Sequence, residues 1–515
     1  MNVSSAVKQT LPLLLGLGLA LPVSAADIHA LIVGINAYPK NQALIGALND
    51  AGEMAALARE MNAASVRVLR DREANREAVI AAWREMVAQA RPGDTLVFSF
   101  AGHATQLPER TPGSEDDGMD EAMVLLSADG QREQLLYDKE MRGLIEQAGA
   151  MNVVVLFDAC HSGTLSRRAP EPGSAPLPVR SMSPDAFADL EGVPVSQGVA
   201  LSSQPGILPN EVYFGATEDA FKVQEILFDG KPRGALTALF ARGVRGGADA
   251  NGDGAISRGE IRDYLTTNVS MHTSQLQKPR IAYHGTDDAP LFRTLPHTPL
   301  KAEPLRLAVR GTLPQGWSLT GTQTASQGEA ELVWDASSGR ITRHGDPVCQ
   351  ASTLEALQGE IDRWRAVAHV RALAERTAFP TVLTPDGDRS YCEKETLAFT
   401  ANPRRPSHAT LVNLECGGTV MPLAPGAGVR VEGDGGRHWH TQLQVNPPFG
   451  TEQLLFIATP QPPEELRKKL ANLAGQRQPL AAAQAIAEAA SQPGFALTVH
   501  GLYTAPRSPA CPPAK

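Results

Sequence analysis

The amino-acid order predicts an α/β fold, with a largely parallel sheet flanked by helices, followed by a β-rich C-terminal domain. Three observations predict it. Between residue 28 and about residue 290, apolar runs of strand length alternate with stretches of helical period, the order that builds a parallel sheet covered on both faces. Two of these runs, Thr95-Leu96-Val97-Phe98-Ser99-Phe100-Ala101 and Val153-Val154-Val155-Leu156-Phe157, have the length and hydrophobicity of buried strands. After Pro296 short apolar stretches are separated by Gly and Pro instead, a β-rich pattern.

Taken in order, residues 28–35 read as a strand and 46–61 as a helix, with Met54, Leu57, Ala58 and Met61 at helical spacing. A short strand at 65–69 and a helix at 75–90, capped by Asn75, come next. The strand that ends at His103, a strand at 122–126, a helix at 138–148 and the strand that ends before Cys160 continue the alternation. Residues 166–194 break it: Pro170, Pro172, Pro176, Pro178 and Pro184 predict an exposed linker inside a domain spanning 27–295. Strands resume at 199–202 and 212–215, then helices at 234–243 and 260–269. A connecting region at 296–390, with a strand at 332–334 and a helix at 353–374, leads to an accessory β-rich domain at 391–500 that ends in a helical stretch at 463–490.

Composition excludes several classes of function. The chain has 515 residues, 42% of them hydrophobic, and a net charge of −9, an ordinary globular balance that argues against disorder and against nucleic-acid binding. Lys8, the apolar run 11–21 and the small residues Val23-Ser24-Ala25 form an export signal, with cleavage expected after Ala25. That run is half of the roughly 20 residues a membrane-spanning helix needs, so the expected protein is periplasmic or extracellular with no membrane span after cleavage. Cys349, Cys392, Cys416 and Cys511 lie in the C-terminal half and Cys160 alone in the N-terminal half. Four cysteines in an oxidising compartment allow three pairings, and spacing does not choose among them.

His103 and Cys160 each follow a buried strand, and in open α/β sheets chemistry sits beyond the carboxyl ends of the strands. A thiolate can attack a carbonyl carbon while an imidazole handles the proton passed to the leaving amine. His161, beside the thiol, is the rival base, but neighbouring residues of an extended chain point to opposite faces.

The blocks Gly34-Ile35-Asn36, Asn49-Asp50-Ala51, Gly102-His103 and Asp158-Ala159-Cys160-His161-Ser162-Gly163 resemble, in that order, the caspase-type cysteine peptidases, above all the metacaspases and their bacterial relatives. The acidic run Glu115-Asp116-Asp117-Gly118-Met119-Asp120-Glu121 is similar to the loop metacaspases carry after the histidine. The resemblance covers roughly 27–290 and implies a caspase-like sheet, a Cys160–His103 dyad and protein or peptide substrates. It also implies an oxyanion hole from the N–H groups of Cys160 and Ala104, where most relatives carry glycine at the second position. Asp50 and Asp158 are implied to line the primary pocket, and two carboxylates hold a guanidinium or ammonium with charge-assisted hydrogen bonds. Cleavage after Arg or Lys is therefore expected. Ala47 and Ala101 stand where relatives frequently have cysteine and serine. Arg167, Arg168 and Arg180 in the Pro-rich stretch are the expected points of self-cleavage.

Residues 249–260 satisfy the EF-hand pattern, with Asp249, Asn251, Asp253, Ala255 (through its carbonyl), Ser257 and Glu260 as calcium ligands and Gly254 at the turn. Asp116, Asp117, Asp120 and Asp138 are candidates for a second calcium site by resemblance to metacaspases. No organic cofactor is expected. Residues 396–460 resemble the accessory β-domain found after bacterial caspase-like modules, which would serve partner binding. The expected function is an exported cysteine endopeptidase, with calcium dependence. The reading from another class is a non-catalytic caspase-like binding or scaffold protein with a calcium-binding loop, and turnover by Cys160 tells the two apart.

Overall fold

The computed structural model describes residues 26–39, 41–110, 113, 118–160, 177–190, 206–217, 223–228, 230–273, 277–296, 304–385, 389–423 and 430–508. The export signal, His161, Arg167, Arg168, Asp116, Asp117, Cys511, the strand expected at 199–202 and most of the Pro-rich stretch lie outside them.

The N-terminal sheet has six strands in the order Arg280–Tyr283, Glu211–Gly215, Asn152–Asp158, Thr95–Ala101, Ile28–Gly34 and Ser65–Arg70. All neighbours run parallel except the first pair. Side chains alternate between its faces, as strand geometry requires. Leu31, Val33 and Phe98 pack with Trp83 and Leu144 on one face, while Ala30, Ile32, Val154 and Leu156 meet Met54, Leu236 and Phe240 on the other. The helices that supply these partners are Arg76–Gln89 and Asp138–Glu146 on the first face, Ala47–Glu60 and Ala235–Arg242 on the second. Asn75 caps the first of them, its side chain accepting from the N–H of Ala78.

Two expectations need correction. The apolar run at 122–126 is a strand, Met119–Leu126, but it does not join the main sheet. It forms a three-stranded antiparallel sheet with Ala104–Pro108 and Glu133–Tyr137, because Ala104–Pro108, just beyond the main-sheet strand Thr95–Ala101, takes its hydrogen bonds. The helical stretch at 463–490 is two helices, Glu464–Asn472 and Pro479–Ala490. Gly475, with φ of 75°, and Pro479 at the start of the second helix separate them.

Beyond residue 304 a five-stranded sheet, the helix Leu354–Ala374 and two further sheets of four and five strands follow. The last two sandwich Phe379, Phe399, Trp439 and Phe456. Cys349 and Cys416 form a disulfide, which selects one of the three pairings, and Cys392 is disulfide-bonded as well. Among the described residues no helix is long and apolar enough to cross a membrane.

Candidate active site

Strands Thr95–Ala101 and Asn152–Asp158 are paired in parallel with Ala101 opposite Asp158. His103 and Cys160 are each two residues beyond that point, so one register brings imidazole and thiol to the same edge. Gly102 must be glycine here, since a Cβ would come 2.5 Å from the Tyr38 hydroxyl. That hydroxyl accepts the N–H of His103 at 2.9 Å and donates to the carbonyl of Val124 at 2.9 Å, and the two rings lie 4.5 Å apart.

The imidazole has one defined tautomer. Its Nε2 lies 2.7 Å from the carbonyl oxygen of Gln42, which can only accept, so Nε2 carries the proton and Nδ1 the lone pair. Nδ1 is buried without a hydrogen-bond partner. Burial, reinforced by the Arg180 charge, pushes His103 down to about 4. The ring is therefore neutral at pH 7 and able to take a proton. Cys160 is buried and outside any disulfide.

A segment of the chain lies across this edge. Val179 bridges Gln224 in antiparallel fashion and Ser181 bridges Ala104 in parallel. Arg180 N–H donates to Val223 at 2.8 Å, and Met182 N–H to Ala104 at 3.0 Å. Between these bonds the carbonyl oxygen of Arg180 accepts two others, from the N–H of Cys160 at 3.0 Å and from that of Ala104 at 3.4 Å.

The Arg180 side chain enters a fully buried pocket. Its Nη2 donates to the Asp50 carboxylate and to Glu225 Oε1 at 3.1 Å. Its Nη1 lies 3.3 Å from Asp158 Oδ1 and donates to the Asp158 carbonyl at 3.1 Å. Each carboxylate is aimed by backbone amides at a helix start. Asp50 accepts from Gly234 N–H and Asp158 from Thr237 N–H, while Glu225 accepts from Ile45 and Gly46. Gly234 stands so close that any Cβ there would collide with the Asp158 carboxylate and the Arg180 guanidinium. Burial pushes the Asp50 carboxyl up to about 7 despite the pull of Arg180, with the Asp158 charge adding to the rise. Three carboxylates around one guanidinium leave surplus negative charge in a dry site, and a raised carboxyl relieves it.

Asp50, Asp158, Cys160, His103 and Ala104 thus converge on Arg180, one of the three arginines expected from the sequence as points of self-cleavage. Glu225 was missed. It has no motif of its own and is 45 residues beyond Arg180, so only folding reveals it.

The calcium candidates form a compact loop. Asp249 accepts from the N–H of Gly252 and Gly254, and Asp253 from that of Ala255. Glu260 folds over the loop start, accepting from Ala250 and Asn251, and with Ser257 forms a reciprocal cap of helix Arg258–His272. Three carboxylates, an amide, a hydroxyl and a carbonyl within twelve residues suit calcium chemically. The carboxylates of Asp249, Asp253 and Glu260 do not converge to within 4.8 Å of one another; hydrogen bonds from backbone N–H groups hold them. Strand Ala255–Ser257 pairs with Pro290–Arg293 rather than with a second such loop. Of the second candidate set, Asp120 is buried and salt-bridged to Lys139 at 2.6 Å and Arg110 at 3.0 Å, and Asp138 pairs with Arg142.

Sheet, dyad edge and carboxylate pocket together define a caspase-like domain. Residues 29–167 match the family model of the metacaspase, peptidase C14 domain. That segment is similar to the peptidase domain of the metacaspases. The chain is 28% identical over 158 residues to Metacaspase-2 of Trypanosoma brucei brucei, covering 28% of this chain and 44% of that protein. It is 32% identical over 146 residues to Metacaspase-1 of Coccidioides immitis, covering 26% and 31%. The chain thus spans less than half the length of these relatives. A solved protein from Geobacter sulfurreducens is 24% identical, with a TM-score of 0.38, over 51% of this chain and 95% of that one.

Proposed function

We propose that this protein is an exported cysteine endopeptidase that cleaves after Arg or Lys, and that its first substrate is its own Arg180–Ser181 bond. One observation carries the reading: Arg180 has its side chain among Asp50, Asp158 and Glu225 and its carbonyl oxygen on the N–H groups of Cys160 and Ala104. This is the arrangement expected of a residue whose carbonyl is about to be attacked.

Each group then has a task. The Cys160 thiolate adds to the Arg180 carbonyl carbon, and the oxygen gains charge facing two N–H donors. The bond to the Ser181 nitrogen breaks, His103 passes the thiol proton to that amine, and water hydrolyses the thioester. Self-cleavage would release the Ser181 end and open the pocket to other chains with a basic residue. Asp249, Asn251, Asp253, Ala255, Ser257 and Glu260 would hold a calcium ion that braces the loop.

The test compares purified wild type with Cys160→Ala by intact mass, then adds peptide reporters ending in Arg, Lys or Asp. Wild type should split after Arg180 and turn over the Arg and Lys reporters, while Cys160→Ala does neither. An intact wild type with a reduced thiol and no turnover would sink the enzyme reading, and a preference for Asp would sink the pocket assignment.

A further inference from the structure

A cavity between the six-stranded-sheet domain and the C-terminal region plays no part in the chemistry above. It is partly open to solvent and leaves about 20 Å³ for the centres of water-sized groups. Gln224, His272 and Gln277 line one side and Arg343, His344 and Trp364 the other.

Arg343 and His344 reach it from a tight hairpin. Strands Arg340–Arg343 and Asp346–Gln350 are joined by His344 and Gly345, with φ of 52° and 92°. Two consecutive positive values mark a type I′ turn, whose first position usually holds Asn or Asp. A histidine there accepts a left-handed backbone and sets its ring against the cavity.

Among the lining residues Arg343 carries a positive charge and Asp346 a negative one, and three ring nitrogens make no hydrogen bond. Both ring nitrogens of His344 and Nε2 of His272 are buried with no hydrogen-bond partner. The Arg343 guanidinium stacks on Trp364, 4.3 Å from the ring centroid, and among the described residues it has no hydrogen-bond or ion-pair partner. Burial, with the charges of Arg343 and Arg371, holds both histidines well below their usual range. Asp346 is the one carboxylate among the lining residues. The half-buried Arg343 guanidinium stays charged, and Glu331 as well as Asp346 is near enough to act on it.

We propose that this cavity binds a compact oxyanion of the phosphate or sulfate class, with the Arg343 fork as the charged clamp and His272 and His344 as ring N–H donors. A planar guanidinium matches two oxygens of such an ion at once. The site adjoins the segment that fills the active site. The Gln224 side chain donates to the carbonyls of His344 at 2.6 Å and Leu177 at 3.2 Å, and Gln224 is also the residue that bridges Val179. An anion in the cavity would brace the wall against which residues 177–180 lie.

The experiment uses the full chain carrying Cys160→Ala, so that no self-cleavage intervenes. Inorganic phosphate is titrated at constant ionic strength against chloride, with melting temperature and binding heat as readouts. Phosphate should raise the melting temperature saturably, and binding should weaken roughly tenfold or more in Arg343→Gln, as loss of a charged hydrogen-bond donor implies. His344→Asn suits the left-handed turn and keeps the hairpin, so it should weaken binding in a folded protein and decides the matter if Arg343→Gln fails to fold. A response to phosphate no greater than to chloride, or equal binding by the variants, overturns the proposal.

Discussion

The peptide N–H of Cys160 donates to the carbonyl oxygen of Arg180 at 3.0 Å. That bond ties the strand-end thiol to a residue twenty positions further along the chain, whose guanidinium reaches back to Asp158, two residues before the thiol. A recognition contact and a reaction contact therefore leave from the same strand end. With the Arg180 guanidinium beside Asp158, the same register presents its carbonyl to the Cys160 N–H.

Gly234 gives the sharpest test of the pocket. A methyl at this position would overlap the Asp158 carboxylate and the space Arg180 fills, while Gly234 itself has φ of −77°, open to alanine. Gly234→Ala should therefore keep its far-UV circular dichroism yet lose self-cleavage and about 10²-fold or more of kcat/KM on Arg reporters, because misplaced substrate loses most of its reactivity. Full activity in that variant would move the basic pocket elsewhere.

His103 should make stability fall in acid. Its ordinary value is 6.5 and burial holds it near 4, so the folded state takes up the proton less readily than the unfolded one. The contribution is fully present above pH 6.5 and is lost as pH falls from there toward 4. Melting curves of Cys160→Ala and of the same protein with His103→Asn should thus converge as pH is lowered through that window. Parallel curves would mean the imidazole is not held neutral by its surroundings.

The opposite sign is expected in the C-terminal region. Burial pushes both Glu415 and Glu452 up to about 7, and Glu452 adds its charge to the rise of Glu415. These carboxyls prefer the proton in the folded state, so their stabilising contribution is present below about 4.5 and lost as pH rises through 7. Glu452→Gln keeps an acceptor for Asn413, which donates to Glu452 at 2.7 Å. The variant should melt increasingly above wild type between pH 5 and 8, and a constant difference would contradict the assignment.

Calcium binding is tested through Glu260. Millimolar calcium should raise the melting temperature of the full chain by the linkage between ligand and fold, and Glu260→Gln should abolish the rise. Glutamine preserves the helix cap that Glu260 makes with Ser257, so loss of the response would report the ligand and not the cap. A wild-type protein indifferent to calcium would remove the site.

Much of the fold was legible because the relevant signals are local. The Thr95–Ala101 and Asn152–Asp158 strands follow from uninterrupted apolar runs, and the Asn75 cap from one side chain before a helical period. Placement of Met119–Leu126 was not legible, since an apolar run does not say which sheet will take it. Glu225 was illegible for a stronger reason: its role depends on amides of Ile45 and Gly46, about 180 positions away.

By itself, then, the sequence determined the two strands that end near His103 and Cys160 and the residue types able to do thiol chemistry, since hydrophobic period and short motifs are properties of neighbouring residues. Only the tertiary structure decided which arginine meets the pocket, that a third carboxylate completes it, and that Nδ1 of His103 is the nitrogen left open. Those outcomes depend on distances between distant segments and on exclusion of water, and both arise only when the sheet, its helices and residues 177–182 are packed together.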